Sequence, residues 1–210
     1  MPSRLRNLTR AGLLGLFIIV HAGTAMPSVF NVTVNTTGFS GSPGILVFDL
    51  IDGGPPDNSA ILSAIVSDGT QDATSIIGAV TGAGPWTFTD AGGSFFNELQ
   101  IPFNPLGSFL KYSFITTDNP PDPTYLADSF SFLLLDTDGE TSLITTDAPD
   151  SATLFQFSLG QGEQGLHVYN TDQEGFSIEV VPPPSVPEPG SLALLVVGGI
   201  ALAARRRLKR

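Results

Sequence analysis

The chain has 210 residues, a formal net charge of −11 and no cysteine. It is long enough for one ordinary domain plus targeting segments, and it excludes disulfides, thiolate metal sites and a cysteine nucleophile. The charge is sharply partitioned: between residues 26 and 187 Lys111 stands alone against 19 carboxylates, a formal charge of −18, which argues against nucleic acid and anionic lipid as partners.

The chain opens with Arg4, Arg6 and Arg10, followed by an apolar run over residues 11–20 and then Gly23-Thr24-Ala25. A basic region, a short apolar stretch and small residues at the positions a signal peptidase reads predict a secretory signal over residues 1–25, cut after Ala25. The apolar run is too short for a stable membrane span.

Residues 26–181 read as a secreted acidic body. Val29–Asn35 alternates, with Phe30, Val32 and Val34 on one face and Asn31, Thr33 and Asn35 on the other. Gly44–Ile51 is almost continuously apolar, the mark of a central strand. Further strands are expected at Ser59–Val66, Ser75–Val80, Trp86–Thr89, Ser94–Ile101, Phe109–Thr116, Ser129–Leu135, Thr153–Leu159, Leu166–Tyr169 and Phe176–Val181. Asp52-Gly53, Asp68-Gly69 and Asp138-Gly139 are turn dipeptides. Residues 60–66 also fit a helical period. Short strands between turns, with no convincing amphipathic helix, predict an all-β fold: an antiparallel β-sandwich, jelly-roll-like.

No constellation in the body outweighs its bland alternative. The body's one histidine, His167, has no Gly-x-Ser-x-Gly elbow to serve and reads as a strand-face residue. Zinc, which needs several His or Cys ligands, is excluded. Asp136, Asp138 and Glu140, beside Gly139, are the metal candidates of the sequence. Alternating carboxylates at a tight turn offer hard oxygens to calcium, although the EF-hand pattern is incomplete and a plain hairpin turn after Ser129–Leu135 is the favoured reading. Trp86, Tyr112, Tyr125 and Tyr169 would stack on sugar rings if one surface gathered them. With 19 carboxylates in the body, nothing singles out a glycosidase pair, and no catalytic residue is assigned. Asn31-Val-Thr33 and Asn35-Thr-Thr37 match glycosylation sequons and are read as strand composition.

The end of the chain has three parts. Residues 182–190 form a Pro-rich spacer that contains Pro187-Glu188-Pro189 and favours extended chain. Residues 191–210 join an uncharged apolar run, Leu192–Ala204, to a basic cluster that begins Arg205-Arg206-Arg207. The expectation is a lone hydrophobic helix about 20 Å long, short for a hydrocarbon core of about 30 Å, with Arg205, Arg206 and Arg207 stopping transfer on the cytoplasmic side. Both ends then place the body outside the inner membrane.

Val186-Pro187-Glu188-Pro189, the apolar run and the Arg cluster, in that order, resemble the PEP-CTERM sorting signal of Gram-negative bacteria. The resemblance implies processing near Pro187, Glu188 and Pro189 by an exosortase, a membrane-anchored precursor, release to the cell surface or medium, and association with exopolysaccharide or biofilm. The opening of the body, Phe30–Gly44 with its Asn/Thr alternation and Gly-Ser-Pro-Gly turn, is similar to an uncharacterised body type of such proteins and implies no activity. The function expected from the sequence is therefore a non-enzymatic surface or extracellular-matrix protein without a cofactor. The partners expected are signal peptidase, exosortase, the inner membrane through the C-terminal helix, and extracellular polysaccharide. A carbohydrate-binding module assisted by calcium is the alternative, and a secreted hydrolase the third reading.

Overall fold

The computed structural model describes residues 28–182, apart from 118, 120–122 and 162–164. The signal-peptide, apolar-helix and sorting-motif readings fall outside the described residues. Among those residues there is no α-helix, and none of their helices is long and apolar enough to cross a membrane.

The first strands are β1 (Ser28–Asn35), β2 (Gly44–Ile51), β3 (Ser59–Leu62), β4 (Val66–Ser67), β5 (Ser75–Ile77) and β6 (Val80–Gly82). They are followed by β7 (Trp86–Thr89), β8 (Phe96–Phe103), β9 (Phe109–Thr116), β10 (Ser129–Leu135), β11 (Thr153–Ser158), β12 (Leu166–Val168) and β13 (Ser177–Val181). Every pairing is antiparallel. One sheet runs β13-β1-β9-β3-β7-β6, with β4 also on β9, and the other runs β12-β11-β10-β2-β8-β5. The near-continuous apolar run of β2 takes an interior place between β10 and β8, as its composition requires.

Two expected strands are broken, each for a local reason. Ser59–Val66 divides into β3 and β4. Both pair with β9, Leu62 opposite Phe114 and Val66 opposite Lys111, so the segment between them carries one residue more than its partner. That extra residue is a bulge. Ser75–Val80 divides at Gly78, whose φ of 76° lies in the left-handed region. The chain leaves β5, bonded to β8 in one sheet, and enters β6, bonded to β7 in the other. A side chain at Gly78 would run into the carbonyl of Phe96, so glycine is required there for space as well as for φ.

The inward faces of both sheets share one hydrophobic core. Phe30 and Phe114 stack at 4.8 Å on adjacent strands, and Phe30 meets Phe157 of the other sheet at 4.7 Å. Phe130 contacts Phe88 at 5.4 Å and Phe114 at 5.3 Å, spanning the gap between the layers. Such aromatic pairs add stabilisation beyond the area they remove from water. A smaller apolar cluster, Ile45, Val47 and Leu135 with Leu133, lies apart from this core.

Candidate functional site

At one end of the two layers the core-facing positions turn from apolar to acidic. The inward residues of β2 are Leu46, Phe48 and Leu50, and the same parity one step past the strand reaches Asp52. In β7, Trp86 and Phe88 lead to Asp90; in β10, Phe130 and Phe132 are preceded by Asp128; in β3, Ala60 and Leu62 are preceded by Asn58. Side chains two apart on a strand share a face, so all four project into the end of the core. Asp90 and Asp128 are only 3% and 2% exposed, whereas Asp52 is half-buried at the rim.

The register brings these residues together. Ile51 pairs with Ser129, which sets Asp52 beside Asp128; Ser59 pairs with Thr89, which sets Asn58 beside Asp90. The two rungs face each other across the layers, and the carboxylates of Asp52, Asp90 and Asp128 each place an oxygen within 4.8 Å of the others. The Asn58 carboxamide bridges the sheets by donating to Asp128 Oδ2 at 2.6 Å, and it accepts from the Thr117 hydroxyl at 2.7 Å. The Asn58 amide N–H donates to both oxygens of Asp90, at 2.8 and 3.0 Å. Gly53 N–H donates to Asp128 Oδ1 and Gly54 N–H to Asp52 Oδ1, each at 2.7 Å. Gly53 has to be glycine because a Cβ there would sit 2.5 Å from the Leu126 carbonyl and 2.6 Å from that of Ala127. Burial, the hydrogen bond to Asp128 and the neighbouring charges of Asp128 and Asp52 push the Asp90 carboxyl up to about 7, against the opposing pull of the Asn58 N–H.

A second polar row crosses the outer face of the other sheet. Glu98 of β8 pairs with Asp49 of β2, Asp49 with Ser131 of β10, Ser131 with Gln156 of β11, and Gln156 with His167 of β12. His167 is exposed at this end of the row, its ring 4.4 Å from that of Tyr169. An open polar groove of about 740 Å³ lies elsewhere, lined by Thr145, Asp147, Asn170, Asp172 and Glu174. The Asp147 carboxylate there is already engaged by the backbone and side chain of Asn170 at 2.7 and 2.9 Å.

The residues singled out in the sequence fare differently. Asp138 accepts from Glu140 N–H, Thr141 N–H and the Thr141 hydroxyl, the last at 2.6 Å, and these bonds hold its carboxyl below the usual range. Asp136 accepts from Thr137 N–H, and Gly139 closes the turn at φ 72°. The segment is thus built as a hairpin turn stabilised by its own acids. Asp136, Asp138 and Glu140 are not brought together as Asp52, Asp90 and Asp128 are. Trp86 and Tyr112 are buried in the core, which removes them from any sugar-stacking surface, while Tyr125 is exposed. Asp90 and Asp128 went unread in the sequence, and Asp52 was read only as part of a turn. The signal available was an acid continuing the inward parity of a buried apolar strand.

The chain carries a PEP-CTERM protein-sorting motif, matched over residues 185–207. The match covers the Pro-Glu-Pro element, the apolar run and the Arg cluster, and it marks the protein as one exported and sorted by an exosortase from a membrane-anchored precursor. No curated protein and no solved structure shows significant similarity to the chain.

Proposed function

We propose that this is a non-enzymatic surface or extracellular-matrix protein, released from the inner membrane by exosortase processing and associated with exopolysaccharide. The observation that carries the reading is the sorting motif over residues 185–207. In this reading signal peptidase removes residues 1–25. Leu192–Ala204 holds the precursor in the membrane, Arg205, Arg206 and Arg207 keep the terminus cytoplasmic, and Pro187, Glu188 and Pro189 mark the chain for processing. We read the body as a jelly-roll-like sandwich, because from β7 to β10 every successive strand changes sheet. A structural role is supported by how the body uses its acids. Asp68, Asp138 and Asp150 each accept two or more hydrogen bonds from their own loops or the loop beside them. The carbohydrate-binding alternative loses two of its four aromatic candidates to the core.

The test separates the parts of the tail. Neutral residues at Arg205–Arg207 weaken membrane retention. Replacing Pro187-Glu188-Pro189 leaves insertion intact and blocks release in a host that has an exosortase. Cell fractionation, with the body followed by antibody, checks both. A Pro-Glu-Pro variant that reaches the outside as efficiently as wild type overturns the processing step.

A further inference from the structure

We infer that the groove between residues 145–147 and 170–174 binds a saccharide chain that carries free amino groups. The inference rests on the proposed association with exopolysaccharide and names its chemistry. The groove is held open by its own walls. Asp147 N–H donates to the Asn170 carbonyl at 3.0 Å, and the backbone and side-chain N–H groups of Asn170 donate back to the two oxygens of Asp147. The Thr146 hydroxyl donates to the Thr153 carbonyl at 2.9 Å, fixing one wall to β11. Gly175, at φ 73°, leads the chain out, and its carbonyl accepts from Gly38 N–H at 2.9 Å and from the Thr37 hydroxyl at 3.1 Å. A groove fixed at both ends binds without the cost of ordering its walls.

A pair of rings leads into it. His167 and Tyr169, 4.4 Å apart, come directly before Asn170 in the chain. Tyr169 is tied to β11 through its N–H, which donates to the Leu154 carbonyl at 3.0 Å. Burial, then the charges of Asp150 and Asp147, push the Tyr169 phenol up, so the Asp147 carboxylate of the groove lies within electrostatic reach of that ring. The apolar face of a sugar packs on such rings, and an ammonium group is drawn to them.

The lining selects among ligands. It consists of hydroxyl, carboxamide and carboxylate groups, with no apolar side chain and no Lys or Arg. An apolar ligand would leave those groups unpaired. A uronate, sulfate or phosphate would meet Asp147, Asp172 and Glu174 with no cation to offset them. Lys111, the body's single cation, is on β9 opposite Thr33. Among the described residues these three acids do not gather their oxygens as Asp52, Asp90 and Asp128 do, which disfavours a bare metal ion. Sugar hydroxyls match the lining, and ammonium groups add charge-assisted bonds to Asp172 and Glu174, both exposed. The body's formal charge of −18 draws such a chain in and repels an anionic one.

The experiment titrates the full chain, purified in detergent, by calorimetry with a glucosamine tetramer, its fully N-acetylated counterpart, a galacturonate tetramer and spermine. The glucosamine tetramer should bind, at least about tenfold more tightly than the other three, and more weakly as salt is raised. Tyr169→Ala should weaken it about twofold to tenfold, the worth of one stacked ring, and Asp172→Asn with Glu174→Gln about tenfold. Asp72→Asn with Glu140→Gln, which removes the same charge from exposed positions outside the groove, should bind as wild type. No binding of the glucosamine tetramer, equal binding of its N-acetylated counterpart or of spermine, or equal losses in the two double variants each overturns the assignment. Co-sedimentation with exopolysaccharide from the producing cells tests the underlying association separately. Wild type and the Asp172/Glu174 double variant sedimenting alike would keep that association and overturn this site. Wild type that stays in solution while the glucosamine tetramer binds would keep the site and overturn the association.

Discussion

Phe130→Ala should cost the body about 3–5 kcal/mol, the range for removing a fully buried phenylalanine, and lower Tm by roughly 6–20 °C. Phe130 sits on β10, is completely buried, and meets rings from both layers: Phe48 at 6.2 Å and Phe155 at 6.4 Å in its own sheet, Phe88 and Phe114 in the other. Truncation leaves a cavity whose walls are themselves packed on other rings and cannot close over it. Phe95 is the control. It has the same side chain at 68% exposure, and Phe95→Ala should stay within about 0.5 kcal/mol of wild type. Chemical denaturation followed by circular dichroism measures both. Equal losses at the two positions would mean that the layers do not share the core on which this fold depends.

What the sequence discloses of this fold is what period-two patterning can carry. β1 shows it most clearly: Phe30, Val32 and Val34 are buried, while Asn31, Thr33 and Asn35 are exposed, as the alternation requires. β2, β7, β9 and β10 begin and end where apolar runs meet turn residues. The two broken strands were illegible because both breaks are tertiary. A bulge at residues 63–65 exists only against the register of β9, and the step at Gly78 exists only because β8 and β7 lie in different sheets. The acidic site was hidden for the same reason. Residues 52, 58, 90 and 128 are scattered along the chain, and pairing alone makes them neighbours. The Asp136–Glu140 segment attracts a metal reading because its acids are close in sequence, yet in the turn Asp136 and Asp138 accept from the segment's own amides. The tail needs no folding to be read, since its three parts act in order along the chain, and there the sequence was most informative.

The body should lose stability as pH rises from about 4 to about 7, and Asp49→Asn should remove a share of that loss on the order of 3 kcal/mol. Asp49 lies on the outward side of β2, between Glu98 on β8 and Ser131 on β10, with Val47 and Ile51 flanking it on its own strand. One of its carboxylate oxygens is buried without a hydrogen-bond partner. Burial, then the charge of Glu98 and the hydrogen bond with it, raise the Asp49 carboxyl from 3.8 to about 7. Glu98 is the charged group facing it, and Gln100 Nε2 donates to Glu98 Oε1 at 2.9 Å, favouring the proton on Asp49. The folded chain therefore holds a proton between pH 3.8 and about 7 that the unfolded chain has released, so the folded state binds more protons and stability falls with rising pH across that window. Below pH 3.8 both states are protonated and the contribution is complete; above about 7 it is gone. Asparagine imitates the protonated acid and cannot ionise. Asp49→Asn should thus match wild type near pH 4 and exceed it at pH 8. Asp90 and the general repulsion among the carboxylates act in the same direction in both proteins, so the difference between the two curves isolates Asp49. Denaturant unfolding at intervals from pH 4 to pH 8 measures it, and parallel curves would show that Asp49 is ionised in the folded chain throughout.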